Sequence, residues 1–184
     1  MHFSAPGKLC LFSKYLDNSL AEPLGSLDMK VPLTMIRPYQ HDDTDAVVDV
    51  WRAASLRAHP FVEGPFLDQE ADNMRNVYLA IAETFVTEVN GEVVGFIAMI
   101  DNEIGGLFLH PAHHGRGLGR AMVDHVRAKR QILTVEVFKK NTIGRRFYES
   151  YGFRQVGTSL HPPTGEQVLE LELPNAATNK RDGL

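Results

Sequence analysis

Residues 107–123 read LFLHPAHHGRGLGRAMV, and this run limits the fold more than any other part of the chain. Leu107, Phe108 and Leu109 form the apolar end of a strand. Gly115, Gly117 and Gly119 then alternate with larger residues. Leu118, Ala121, Met122, His125 and Val126 follow at i, i+3, i+4, i+7 and i+8, the stripe of a helix packed on one face, running to about Arg130. A strand that enters a helix through a glycine-rich loop points to an α/β fold. The same loop suits an anion, best of all a pyrophosphate. Glycines let the backbone approach a ligand, and a helix start offers unpaired N–H groups at its positive dipole end. Arg116 and Arg120 add positive charge there, in a chain whose formal net charge is −4.

The flanking pattern supplies the remaining elements. Met35-Ile36-Arg37 opens a short strand that Pro38 ends. Asp42 or Asp43 is placed to cap a helix carrying Ala46, Val47, Val50, Trp51 and Ala54, which stops before Pro60. A second helical stretch covers roughly 67–82. At residue 84 the period changes to two: residues 84–89, Asn90-Gly91 and residues 93–100 spell a hairpin, because Asn-Gly suits a turn with positive φ at both central residues. Further strands are expected at about 103–109, 132–138, 155–160 and 167–173. A helix is expected over 142–151, closed by Gly152 in the left-handed cap conformation with Phe153 folded back on its last turn. The order is β-α-α-β-β-β-α-β-α-β-β, a mixed, mostly antiparallel sheet flanked by helices.

Three phosphate-binding patterns compete for the glycine run. A P-loop ends in Gly-Lys-Ser/Thr, which is absent. A dinucleotide fingerprint begun at Gly115 would need glycine where Arg120 stands, and His110-Pro111-Ala112 separates the strand from the loop. The third pattern fits: His114-Gly115-Arg116-Gly117-Leu118-Gly119 resembles the acetyl-CoA-binding motif of the GNAT superfamily, Gln/Arg-x-x-Gly-x-Gly/Ala, with His114 in its first position. Against it stands the plainer reading, that the glycines only tighten a strand-to-helix connection. A second landmark of that family follows in order: residues 135–141, VEVFKKN, then 146–153, RFYESYGF, with Asn141 seven residues before Tyr148 in a Tyr-x-x-x-Gly-Phe ending. The resemblance spans about 35–173. Trp51 with His59-Pro60-Phe61 also looks like a subset of small bacterial acetyltransferases of the protein-lysine-acetylating type.

The resemblance implies an N-acetyltransferase that moves the acetyl group of acetyl-CoA to an amine by direct attack in a ternary complex. In the family the strand before the glycine loop splays from its neighbour and its freed backbone groups bind the pantetheine arm. That assigns Leu107, Phe108 and Leu109 to the thioester region, with the Leu107 N–H as a candidate oxyanion donor. Gly105-Gly106 at the start of this strand marks a bulge or a close backbone approach. The loop residues His114 to Arg120, namely His114, Gly115, Arg116, Gly117, Leu118, Gly119 and Arg120, would hold the pyrophosphate. Tyr148 is the candidate general acid for the departing thiolate; the plainer reading is a half-buried core tyrosine, which Tyr151 is expected to be. Asn141 would contact the cofactor, cap the helix at Thr142, or both. Glu103, counted back from the glycine motif, matches the general-base glutamate of the histone-acetylating branch, or is an exposed turn acid beside Asp101 and Asn102. Ordered water serves in place of a base in many members. His59 lines the acceptor groove or simply ends the first helix.

Composition narrows the rest. At 184 residues, 43% hydrophobic and 23% charged, the chain is of ordinary size for one globular domain. The acidic net charge gives no basic field for nucleic acid, and no apolar run approaches a membrane helix. The single cysteine, Cys10, excludes an internal disulfide framework and suits the cytoplasm. His110, His113 and His114 lack a convergent cysteine or carboxylate for zinc, so no metal is expected. Residues 1–34 are read as a loosely ordered, dispensable extension, 35–174 as the catalytic domain and 175–184 as a disordered tail. The expected assembly is a monomer or homodimer that meets acetyl-CoA and an amine acceptor, without nucleic acid or membrane. The alternative to an enzyme is an acetyl-CoA-sensing module of the same fold.

Overall fold

The computed structural model describes residues 32–62 and 64–174. The hairpin forms where alternation and Asn-Gly predict it. β2 (Glu83–Val89) and β3 (Glu92–Ile100) flank Asn90 and Gly91, whose φ values are 55° and 84°. Before it, β1 (Thr34–Pro38) pairs antiparallel with β2. The ordered pairing starts one residue earlier still: Asn90 N–H donates to the Leu33 carbonyl at 2.8 Å, and the Leu33 N–H donates to Asn90 Oδ1 at 3.1 Å. Residues 33 and 34 therefore belong with the domain, not with an extension. The expectations for residues 1–31 and 175–184 lie outside the described residues.

A 3₁₀ turn (His41–Asp43) leads into α1 (Thr44–Ala58), the first expected helix. Its start corrects one detail. The Asp43 side chain does not cap α1. Its two oxygens instead accept from Arg37 at 2.7 and 2.8 Å, and one also accepts from the Gln40 N–H. A guanidinium fork outcompetes single backbone N–H groups for a carboxylate. The second helical stretch is broken in register: α2 (Gly64–Asn73) widens into a π-helical segment (Met74–Tyr78) before a last turn, α3 (Leu79–Ile81). Then β4 (Glu103–Leu109), α4 (Leu118–Arg127), β5 (Leu133–Phe138), α5 (Thr142–Tyr151), β6 (Arg154–His161) and β7 (Glu166–Leu173) complete the expected order. Gly152 closes α5 at φ 116°, and the Phe153 N–H donates back to the Tyr148 carbonyl.

The seven strands form one sheet in the order β1-β2-β3-β4-β5-β7-β6, antiparallel except at β4–β5. Strand alternation sends neighbours to opposite faces. Phe85, Ile97 and Met99 meet Met122, Val123 and Val126 of α4 and Tyr148 of α5 on one side, whereas Val86 and Phe96 meet Val47, Trp51 and Leu67 of α1 and α2 on the other. Met122, Val123 and Val126 are wholly buried, and each such side chain contributes about 1.5–3 kcal/mol through the water it sheds. Among the described residues no helix is long and apolar enough to cross a membrane.

Candidate active site

The site begins with a fault in the sheet. On β4 the register passes from Ala98↔Gly106 to Met99↔Ile104, so Gly105 is an extra residue, a bulge that bends the strand. On its other side β4 pairs with β5 only at Glu103↔Thr134 and Ile104↔Val135. Beyond Ile104 the two parallel strands part. The open edge can be assigned residue by residue. The His110 N–H donates to the Val94 carbonyl, and hydrogen-bonded pairs alternate along an antiparallel ladder. Phe108 and Gly106 therefore also turn their backbone groups to β3, while Leu107 and Leu109 turn theirs to the gap. The Leu109 carbonyl in that gap accepts from His114 Nε2 at 3.0 Å, which ties the loop to the strand end.

The gap opens into a cleft of about 470 Å³ walled by β4, β5, the glycine loop and α5. Gly115 and Gly117 have φ of 76° and 78° with open space around them, and Gly117 ends the loop at the start of α4 without any side-chain cap. The first-turn N–H groups of α4 are thus left for a ligand. Leu118 contributes only backbone there, because its side chain is buried beside Val89 and Val94. Arg120 lines the cleft, with its guanidinium 4.8 Å over the Tyr151 ring and a bond to the Ser150 carbonyl. Arg116 is exposed and outside the lining. His114, Gly115, Gly117, Leu118, Gly119, Arg120, Leu107, Phe108, Leu109, Asn141 and Tyr148 all line this one cleft.

Tyr148 is buried against Phe147 and Phe153, and burial pushes its phenol well above the ordinary tyrosine range. It therefore keeps its proton at neutral pH. Among the described residues its hydroxyl has no hydrogen-bond partner, and it lines the cleft. Asn141 caps α5: its Oδ1 accepts from the Gly144 N–H at 2.8 Å. Its Nδ2 lies 3.1 Å from His59 Nε2, a contact across 82 residues of chain that spacing alone could not show.

A second cleft of about 480 Å³ lies on the α1–α2 side of β4. Trp51, Phe66, Met74, Phe96, Phe108 and Phe138 supply apolar walls, and among the described residues Glu70 is its single formally charged side chain. Sequence reasoning missed Phe66, Glu70, Met74, Phe138 and His161. They come from α2, its π-helical continuation, β5 and β6; Phe66, Glu70 and Met74 share an i, i+4, i+8 helical spacing, but nothing in the sequence ties that row to Phe138 or His161, and the one local hint was Trp51 with His59-Pro60-Phe61. His59 lines both clefts. Glu103 lines neither; it is exposed at the first residue of β4. Four residues upstream of Leu107, it sits about 13 Å back along the strand. Among the described residues no group of three or more His, Cys, Asp or Glu side chains is arranged to hold a metal.

A family model described as an acetyltransferase (GNAT) domain matches residues 80–155, which hold β2 through α5 and most of the first cleft's lining. The chain is 29% identical over 131 residues to the peptidyl-lysine N-acetyltransferase YiaC of Escherichia coli K12, covering 71% of this chain and 90% of that one. The solution structure of apo YjaB from Escherichia coli superposes with a TM-score of 0.71 at 25% identity, covering 78% of this chain and 99% of that chain. The fold is also that of PaiA N-acetyltransferase from Thermoplasma acidophilum in complex with coenzyme A, with a TM-score of 0.62 at 16% identity over 75% of this chain and 98% of that one. With a parted β4–β5 pair, an uncapped helix behind a glycine loop and these relatives, residues 80–155 carry an acetyltransferase (GNAT) domain, and the chain is similar to N-acetyltransferases over about three quarters of its length.

Proposed function

We propose that the protein acetylates lysine side chains of other proteins. The observation that carries this reading is the meeting of two clefts at the Gly105 bulge, one suited to acetyl-CoA and the other to an amine on an apolar stem. The acceptor cleft is about as long in chemistry as a lysine: apolar walls for its methylenes and one carboxylate, Glu70, to attract its positive charge. The relatives named as peptidyl-lysine N-acetyltransferases support the same acceptor, and they favour turnover over acetyl-CoA sensing.

In this reading Leu107 and Leu109 offer their outward backbone groups to the pantetheine arm, and the glycine loop with the first turn of α4 holds the pyrophosphate. The lysine nitrogen attacks the thioester carbonyl carbon, with the Leu107 N–H donating to the oxygen as its charge grows. The C–S bond then breaks, and the thiolate takes the Tyr148 proton. Burial raises the proton affinity of thiolate and phenolate alike, so the dry cleft keeps the two within reach of each other. The lysine ammonium sheds one proton to water before it attacks, since Glu103 lies outside both clefts, and after the C–S bond breaks the nitrogen gives up a second proton, which returns through water to the Tyr148 phenolate. Acetyl-CoA use and the single cysteine support a cytoplasmic location.

The test is incubation with acetyl-CoA and a set of lysine-containing proteins and peptides, with free CoA and the mass of the acceptor as readouts. The reading requires CoA release matched by a gain of one acetyl group on lysine. CoA release with N-terminal amines or small amines alone would replace the acceptor; none above spontaneous hydrolysis would end the reading.

A further inference from the structure

Among the described residues, four line both clefts: His59, Gly105, Gly106 and Phe108. Two are glycines, and Phe108 brings a hydrocarbon ring, which stacks 5.3 Å from that of Phe96. His59 is therefore the one side chain among them able to hydrogen-bond where donor and acceptor must meet.

Its neighbours fix which nitrogen carries the proton. Asn141 Oδ1 is held by the Gly144 N–H, so the amide nitrogen is the group that faces His59. Nδ2 only donates, hence His59 Nε2 accepts and is bare, and the ring proton sits on Nδ1. Phe61 and Phe138 stand edge-on to the imidazole at 5.8 and 5.3 Å and hold its plane. Among the described residues Nδ1 has no hydrogen-bond partner, nor is it one of the polar atoms sealed in the interior. It is a donor not sealed from solvent, on a residue that lines both clefts.

Such a group cannot be the base. The Nε2 lone pair is occupied, and burial lowers the pKa to about 4, far below an amine near ~10.4. Neutrality instead suits a donor. A cationic imidazole would repel the ammonium arriving in the acceptor cleft, whereas a neutral one leaves the attraction of Glu70 unopposed.

We propose that His59 Nδ1–H donates to the acetyl carbonyl oxygen at the junction of the two clefts, as a second oxyanion donor beside the Leu107 N–H. The inference rests on the acetyl-transfer reading above. It makes His59 a catalytic residue, oriented by Asn141. Removal of one oxyanion donor lowers kcat by roughly 10²- to 10³-fold.

Three variants separate this role from packing. His59→Asn keeps an N–H close to the place of Nδ1. His59→Gln moves the amide to the place of Nε2, and His59→Phe keeps a ring without donors. With a lysine peptide, kcat should fall about 10²-fold for Phe and Gln but less than about tenfold for Asn. Acetyl-CoA affinity should change less than threefold in all three, by the same argument that an oxyanion donor acts late. A Phe variant as active as the parent, or Gln outperforming Asn, would overturn the proposal. A readout that needs neither turnover nor a variant is ¹⁵N NMR of the parent protein. The His59 ring should be protonated at Nδ1 and bare at Nε2, and its Nδ1–H signal should move with acetyl-CoA but not with CoA. An Nε2–H ring, or equal shifts with both ligands, refutes it. An acetyl-specific shift in a protein that transfers to no amine would uphold the contact and defeat the transfer reading instead.

Discussion

Gly119 lies against the ring of Phe147: a Cβ placed on the glycine would stand 3.1 Å from Phe147 Cε2. The third glycine of the loop is thus a packing residue between α4 and α5. Gly117 is different, with φ 78° and nothing within 4 Å of a built Cβ. Gly119→Ala is expected to cost about 1 kcal/mol through overpacking while acetyl-CoA affinity stays within threefold by calorimetry. Phe147→Leu should recover part of that loss. Gly117→Ala is expected to lower acetyl-CoA affinity at least tenfold, since its methyl enters the space kept for the pyrophosphate, and to cost about 1–2 kcal/mol for the left-handed backbone. Equal affinities for Gly117→Ala and the parent, measured on folded protein, would remove the loop from the cofactor site.

Tyr148→Phe deletes one oxygen from a hydroxyl that has no hydrogen-bond partner among the described residues. Stability should therefore hold or rise slightly in thermal melts, and acetyl-CoA affinity should stay unchanged. Turnover should fall about 10²-fold, the usual loss for a general acid. A kcat within twofold of the parent would make Tyr148 a core residue and no more.

Glu103→Gln should leave kcat within twofold across the pH range, because the carboxylate lines neither cleft. A general base would behave otherwise, with its loss largest at low pH, where the amine most needs help to shed its proton. A pH–rate profile of the variant decides between them, and a low-pH loss would restore Glu103 to the mechanism.

Residues whose role is local were legible in the sequence. Asn90-Gly91 and Gly152 sit at positive φ because their neighbours demand a turn and a helix stop, and β4 begins and ends where alternation says. The first cleft was partly legible for the same reason, since one strand–loop–helix run, residues 104–120, supplies about half of its lining. Two placements show the limit of counting along the chain. Gly119 lines the cleft with the other loop glycines but also lies against Phe147, a neighbour the sequence does not show, and Glu103 was placed by counting residues along β4 toward a cleft it does not line. The acceptor cleft was hidden because Trp51, Glu70, Phe96 and Phe138 are gathered by tertiary packing, with no period linking them. His59 and Asn141 were each noted separately; only the fold makes them a pair.

Acid stability should centre on Arg37, which joins β1 to both Asp43 and Glu88. The Arg37 hydrogen bonds hold the Asp43 carboxyl below its ordinary value of 3.8, against the opposing effect of burial. A carboxyl whose folded pKa is depressed adds stability above its unfolded pKa and loses it as pH falls through the folded one. The contribution should therefore be constant from pH 7 to about 5 and disappear progressively below about 4. Asp43→Asn removes the charge and keeps the shape. At pH 7 it should cost about 2 kcal/mol, a fall of roughly 4–8 °C in Tm for a domain of this size. At pH 3 the gap should narrow, since the parent's own carboxyl is gaining its proton. Urea melts of both proteins at pH 3, 5 and 7 measure it. A gap of the same size at pH 3 and pH 7 would mean that Asp43 acts through packing or its Gln40 bond, and that the Arg37 ion pair contributes no net stability.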